Sequence, residues 1–204
     1  MNEILQHIPL SDVLLLLLAY LLGSIPFSLV VAYAAGAGDI RKQGSGNPGA
    51  TNVARIAGKK AGVLAFLLDA GKGVLAVVLA NRYGSAPPVA LLAGGAAVIG
   101  HIFPVWLRFR GGKGVATTFA VLATLEYRVA LVAMAIWLII FMVGRISSLA
   151  AIFTMIATPG VALSFADKKG YALVYLTLFL AGLIILRHRE NIRRLLAGEE
   201  KRLQ

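Results

Sequence analysis

The chain has no cysteine. Disulfides, thiolate nucleophiles and cysteine-ligated metals are therefore excluded, and three isolated histidines, His7, His101 and His188, do not suggest a zinc cluster. Acidic residues are scarce too: 9 Asp and Glu against 20 Lys and Arg leave a net charge of +11, with only 14% of the 204 residues charged. So little charge, with 59% apolar residues and a mean hydropathy of +0.82, excludes an ordinary soluble domain and points to a membrane protein. The basic excess has to gather in short polar segments, where it can meet anionic lipid or an anionic substrate; nucleic acid is not an expected partner. A membrane span consumes about 20 residues, so residues 1–204 read as a single membrane domain. The chain also lacks a basic leader. Its first Lys or Arg is Arg41, and Glu3 and Asp12 make the start acidic, so Val13 to Ala35 reads as a retained helix rather than a removable signal.

What is present is a series of apolar runs. After Val13 to Ala35 they fall at about Ala61 to Ala80, Pro87 to Leu107, Val115 to Leu125, Val129 to Val143, Ile146 to Phe165 and Tyr171 to Leu186. The predicted fold is all-α, a bundle of seven transmembrane helices with the N-terminus outside and the C-terminus cytoplasmic. Val115 to Val143 divides into two helices at a turn, because Glu126 and Arg128 inside one long helix would each cost several kcal/mol, roughly 2.5 to 3.5 for Arg. Charge placement agrees with that division. Arg41, Lys42, Arg55, Lys59, Lys60, Arg108, Arg110, Lys113, Arg145 and the basic tail then fall on the inner side, with only Arg82, Arg128, Lys168 and Lys169 outside. Small residues at Gly58, Gly62, Gly94, Gly95, Ala96 and Ala97 suit close helix packing. Residues 187–204 carry Ile192, Leu195, Leu196 and Leu203 among basic residues, the pattern of an amphipathic helix on the inner surface.

Three polar clusters share that inner side. The first, Gly44-Ser45-Gly46-Asn47-Pro48-Gly49-Ala50-Thr51-Asn52-Val53-Ala54-Arg55, contains a literal GxGxxG, but a dinucleotide fold needs a βαβ unit, and here helices flank the motif. Its physical content remains: closely spaced glycines let successive N–H groups face one anion, while Arg55 can grip a phosphate with two hydrogen bonds. The second runs from Gly100 to Thr117 and places Gly111, Gly112 and Gly114 around Lys113 at a helix start, where free N–H groups and the helix dipole favour an anion. It is not a P-loop, since Gly114 stands where that motif requires Ser or Thr. Arg108 and Arg110 read as interfacial anchors, and His101 as either a loop brace or a site residue. In the third cluster, from Arg187 to Glu200, His188 and Asn191 are three apart and share a helix face. Asp69 and Lys72, also three apart, lie inside a span and are either functional or a self-compensating packing pair. His7 and Asp12 match the His-x-x-x-x-Asp of soluble-fold glycerolipid acyltransferases, but they lie on the opposite side from every basic cluster.

The segments GSGNPGATNVARIAGKKAG, GHIFPVWLRFRGGKGVAT and RHRENIRRLLAGEE, in that order with hydrophobic spans between, resemble the bacterial membrane acyl-phosphate:glycerol-3-phosphate acyltransferases over essentially the whole chain. The resemblance implies a seven-helix bundle in the bacterial inner membrane with a cytoplasmic active site and no metal or other cofactor. It implies transfer of a fatty acyl group from acyl phosphate to the first hydroxyl of glycerol 3-phosphate. Membrane lipid is an expected partner, and no obligate protein partner is evident from the sequence. Substrate-binding positions carried over are Ser45, Thr51, Asn52 and Arg55, then Gly111, Gly112, Lys113 and Gly114, then His188 and Asn191, with His188, Ser45 and Lys113 as the catalytic candidates.

The residues fit such chemistry. Two phosphate-bearing substrates require two anion-holding groups at the inner membrane face, and an acyl phosphate, already activated, needs orientation and oxyanion donors more than acid catalysis. Three routes stay open at this stage: His188 as the base that takes the hydroxyl proton, Ser45 as a covalent nucleophile though no adjacent base in sequence supports it, or a substrate phosphate that takes the proton itself. Direct transfer is the favoured route. A small organic-phosphate transporter is the competing class; it would be expected to show inverted repeats and a site near the midplane, and no internal repeat is evident.

Overall fold

The computed structural model describes residues 9–166 and 171–203. His7, Lys168 and Lys169, invoked above, lie outside those residues. The described chain is all helical: α1 Leu10–Ser24, α2 Phe27–Ala34, α3 Ala50–Ala57, α4 Lys59–Tyr83, α5 Pro87–Ile102, α6 Val115–Leu125, α7 Tyr127–Gly144, α8 Ser147–Ser164, α9 Ala172–Arg187 and α10 Arg189–Leu196. No strand occurs among the described residues.

Among the described residues five spans have the length and apolar character to cross a membrane: Leu10–Ala34, Lys59–Tyr83, Pro87–Leu107, Tyr127–Gly144 and Ser147–Ser164. A sixth arises if α9 and α10, bent by 60° at their junction, count as one. The seventh expected span, α6, has 11 residues, which rise about 17 Å against a hydrocarbon core of about 30 Å. Large apolar side chains such as Leu131, Ile139, Met142, Phe153 and Tyr175 face outward, the natural arrangement when lipid rather than water is the solvent.

Two sequence expectations about breaks come out differently. The stretch Val13 to Ala35 is not one continuous helix: Pro26 supplies no N–H, and α1 and α2 part at Ile25 and Pro26. The division of Val115 to Val143 does occur. Glu126 separates α6 from α7, accepts from the Arg128 backbone and pairs with its guanidinium at 2.8 Å. Both charges thus sit at helix ends rather than inside a span.

Small residues bring the helices together. A side chain on Gly23 would overlap Ala97, one on Gly100 the α1 backbone, one on Gly62 Ala54 and one on Gly94 Val121. Gly58 does not follow that expectation. Nothing lies near its missing side chain; its φ of +89° turns the chain directly from α3 into α4. The amphipathic tail helix is also shorter than expected. It stops at Leu196, and the chain beyond folds back so that the Leu203 N–H donates to Arg145 O at 2.8 Å. Asp12 is buried and accepts from Ser85 N at 3.0 Å, tying α1 to the turn before α5.

Candidate active site

All three sequence clusters meet in one cavity of about 230 Å³. The first residues of four helices line it: Ala50 and Thr51 of α3, Val115 and Ala116 of α6, Ser147 and Ser148 of α8, and His188 and Asn191 at the start of α10. A helix start carries roughly +0.5 elementary charge and unpaired N–H groups, so this convergence makes an anion site before any side chain is counted. Arg55, Lys113 and Lys201 add full charges to the wall. Phe66, Phe119, Met134, Trp137 and Ala151 form its apolar part, of which Phe66 and Met134 reach the lipid-facing surface.

Within the first cluster the predicted residues divide by role. Ser45 and Thr51 line the cavity. The Ser45 hydroxyl has no hydrogen-bond partner among the described residues, and Thr51 Oγ1 lies 3.3 Å from Ser147 Oγ. The Arg55 guanidinium is likewise uncommitted among the described residues, as a group meant for a phosphate would be. Asn52 differs. Its side chain is buried, its Oδ1 accepts from Ser45 N at 2.9 Å, and its Nδ2 donates to Ile40 O and Gln43 O at 2.9 and 3.1 Å. Asn52 also lines the cavity, but with both donors spent on the backbone it shapes the glycine loop.

The second cluster brings Lys113 and Gly114 to the cavity but not Gly111 or Gly112. The Gly111 and Gly112 N–H groups, expected to face an anion, donate instead to Ile102 O and His101 O at 3.0 and 3.1 Å, while Gly111 O accepts from Arg187 at 3.1 Å. They are needed for space: a Cβ on Gly111 would overlap His101 O and Pro104, and one on Gly112 the His101 ring. Gly114, at φ +86°, turns the chain into α6 just after Lys113. Arg108 and Arg110 are exposed and lie away from the cavity wall.

Lys113 Nζ donates to Asn191 Oδ1, joining the second and third clusters. Burial is the main influence holding the Lys113 ammonium down to about 8; the Glu200 carboxylate works the other way, and Arg194, Arg187 and Arg55 add to the depression. His188 is buried, with Nδ1 2.8 Å from Ile184 O. A carbonyl can only accept, so Nδ1 carries the proton and Nε2 keeps its lone pair in the neutral ring. Burial and the nearby Lys113 charge lower His188 to about 4, which keeps it neutral but makes it a weak base.

Several cavity residues escaped the sequence reading. Glu200 accepts from Ser148 Oγ at 2.7 Å, from Asn191 Nδ2 and from Arg194 Nε at 2.6 Å. Burial raises the Glu200 carboxyl, but those three hydrogen bonds outweigh it and leave the group below its ordinary value. Ser147 and Ser148 could have been found as paired hydroxyls just after Arg145 and Ile146 at an apolar run's start, whereas nothing local marks Glu200 over Glu199. Asp69 and His101 also reach the cavity, joining the ambiguous intramembrane pair to the site. Among the described residues no group of His, Asp and Glu is arranged to hold a metal ion.

The sequence profile described as glycerol-3-phosphate acyltransferase matches residues 13–198. The chain is 52% identical over 185 residues to a glycerol-3-phosphate acyltransferase of Caulobacter vibrioides, covering 90% of this chain and 84% of that one. It is 50% identical over 187 residues to the enzyme of that name from Dinoroseobacter shibae, covering 92% and 90%. The fold is similar to the crystal structure of PlsY (YgiH), an integral membrane glycerol 3-phosphate acyltransferase, in its glycerol 3-phosphate form. That similarity has a TM-score of 0.87 and 42% identity, and spans 95% of this chain and 96% of that one. The lysophosphatidic acid form of the same protein gives a TM-score of 0.85.

Proposed function

The chain belongs to the glycerol-3-phosphate acyltransferase family, and from that premise we propose that it transfers a fatty acyl group from acyl phosphate to the first hydroxyl of glycerol 3-phosphate, in a cavity open to the cytoplasmic side of a bacterial inner membrane. The products are 1-acyl-glycerol 3-phosphate and inorganic phosphate. The observation that carries the reading is the convergence of four helix starts, Arg55 and Lys113 on a cavity whose other wall is apolar and reaches lipid. That combination suits two phosphates and one acyl tail.

In this reading Arg55, Lys113 and the starts of α3 and α8 hold the phosphate groups, with Ser45, Thr51 and Ser147 available to the glycerol hydroxyls. The ester C–O bond forms as the mixed anhydride C–O bond breaks, and the acceptor hydroxyl loses a proton as the departing phosphate gains one. That balance needs no separate base when the two groups are adjacent. His188, lowered to about 4, is a poorer acceptor than a phosphate leaving with an added negative charge. We therefore assign His188 and Asn191 to positioning, with Asn191 fixed between Lys113 and Glu200. Ser45 is assigned to substrate binding, since no side chain hydrogen-bonds its hydroxyl as an activating base among the described residues.

The test is transfer to labelled glycerol 3-phosphate by purified protein, comparing palmitoyl phosphate with palmitoyl-CoA, with Lys113→Ala alongside. Product from acyl phosphate alone, lost in Lys113→Ala, is the expected result. Equal use of the thioester would overturn the donor assignment, and acylation of Ser45 by donor without acceptor would overturn direct transfer.

A further inference from the structure

Asp69 and Lys72 sit one turn apart on α4 with side chains only 2% exposed, and their charges pair at 2.9 Å. The space beside Lys72 amounts to about 10 Å³, enough for no more than about one water. A buried ion pair is weak evidence of stabilisation, because well-packed apolar residues commonly do as well or better in its place. What it provides is direction, and the contacts of this pair are directional.

Lys72 Nζ donates to Ile25 O at 2.8 Å, the carbonyl left at the break between α1 and α2. Asp69 Oδ2 accepts from Ser28 Oγ of α2 at 2.7 Å. Two further contacts fall on either side of the Lys113 loop. His101, in the last turn of α5, places Nδ1 3.5 Å from Asp69 Oδ1, and Thr117, in the first turn of α6, donates Oγ1 to Asp69 O at 2.9 Å. The chain between them, residues 102–116, carries Lys113. His101 also grips that loop directly: its carbonyl accepts from Gly112 N at 3.1 Å, and its ring lies against the Gly112 backbone so closely that no Cβ fits. Residue 69 thus touches both ends of the segment that presents Lys113, with its carboxylate at His101 and its main-chain carbonyl at Thr117, and Lys72 anchors that carboxylate to the broken first span.

We propose that Asp69, held by Lys72 and acting through His101, is the positioning residue that sets the Lys113 ammonium in the phosphate-binding cavity. This rests on the reading that glycerol 3-phosphate binds there. Neither Asp69 nor Lys72 touches the substrate in this assignment. They fix a loop whose charged residue has to be buried beside Asn191 to act.

The consequence is readable in the titration of Lys113. Facing that ammonium are Glu200 and Arg194 from the tail segment, Arg187 from α9, Arg55 from α3 and the neutral His188. If the loop loosens, the ammonium regains water and its titration moves from about 8 toward the ordinary lysine range.

The experiment measures glycerol 3-phosphate binding by calorimetry, and acyl transfer kinetics, from pH 6 to 10 on the full chain in detergent. The variants are Asp69→Asn, His101→Gln and their combination, and Asp69→Asn/Lys72→Met, which removes both buried charges at once so that neither is stranded. Expected are roughly tenfold weaker glycerol 3-phosphate binding and an alkaline limb about one pH unit higher in the charge-removed double variant. Asp69→Asn and His101→Gln should be non-additive, their combination no worse than the weaker single. A charge-removed variant that keeps the wild-type melting temperature, affinity and alkaline limb would overturn the proposal, as would full additivity of the Asp69 and His101 effects. Loss of binding with no movement of the limb marks plain unfolding and also overturns it. The binding arm does not depend on chemistry: wild-type protein that binds glycerol 3-phosphate but transfers no acyl group refutes the proposed reaction while the limb still decides the role of Asp69.

Discussion

Lys113 combines a cavity position, a hydrogen bond to Asn191 and an ammonium lowered to about 8 by burial. Its charged form exists below that value and is lost as pH rises through it, so the free protein should lose affinity for a phosphate dianion above about pH 8. Bound phosphate stabilises the charge. The alkaline limb of kcat is therefore expected at higher pH than that of kcat/KM. On the acid side His188, lowered to about 4, stays neutral through pH 5 to 8, so a decline there should follow the second ionisation of the substrate phosphate, near about 6. A kcat/KM profile from pH 5 to 10 checks both limbs, and an acid limb that moved in His188→Gln would contradict the assignment. Lys113→Met should lower kcat/KM by about 100-fold or more, the scale seen when a preorganised donor is removed. Of these residues, Lys113 and Arg55 were legible from sequence as cations among glycines. The commitment of Asn52, Gly111 and Gly112 to the backbone was not, because a hydrogen bond's partner is set by what folding places beside it.

At the scale of the helices, four starts meet at one point only because neighbouring helices approach closely, and glycine governs that approach. Gly100 lies against the Tyr20 carbonyl and Ser24 N–H of α1, backbone atoms that cannot move aside as a side-chain end would. A Cβ added to Gly160 of α8 or Gly182 of α9 would meet nothing within 4 Å. Gly100→Ala should therefore lower the melting temperature in detergent by several degrees, whereas Gly160→Ala and Gly182→Ala should leave it level or slightly higher. Thermal unfolding of the three variants side by side is the check. Equal effects would mean that helix propensity, not close packing, governs these positions. Sequence spacing singled out Gly62 and Gly94 correctly and misread Gly58, since a packing glycine and a hinge glycine look alike until φ is known.

For the whole molecule, the basic clusters, the cavity and the tail lie on one side, and the proposed orientation makes that side cytoplasmic. Because the chain has no cysteine, single substitutions report sidedness directly. Lys42→Cys and Lys60→Cys should react with a membrane-impermeant maleimide only in inverted vesicles, and Arg82→Cys and Tyr127→Cys only in right-side-out ones. Labelling of residues 60 and 82 from the same side would refute α4 as a crossing, and labelling of residues 82 and 127 from opposite sides would refute the paired course of α5 and α6.

Composition and the spacing of apolar runs alone determined the membrane class, the turn at Glu126 and the three clusters that meet in the cavity, because hydrophobic periodicity and charge cost in lipid act locally along the chain. Tertiary structure decided the rest: the break at Pro26, the length of α6, the joining of Glu200 to Asn191 and Ser148, and the attachment of Asp69 to both ends of the Lys113 loop. Two of those contacts join residues 48 and 52 positions apart in sequence, and a buried polar group takes whichever partner packing brings within reach.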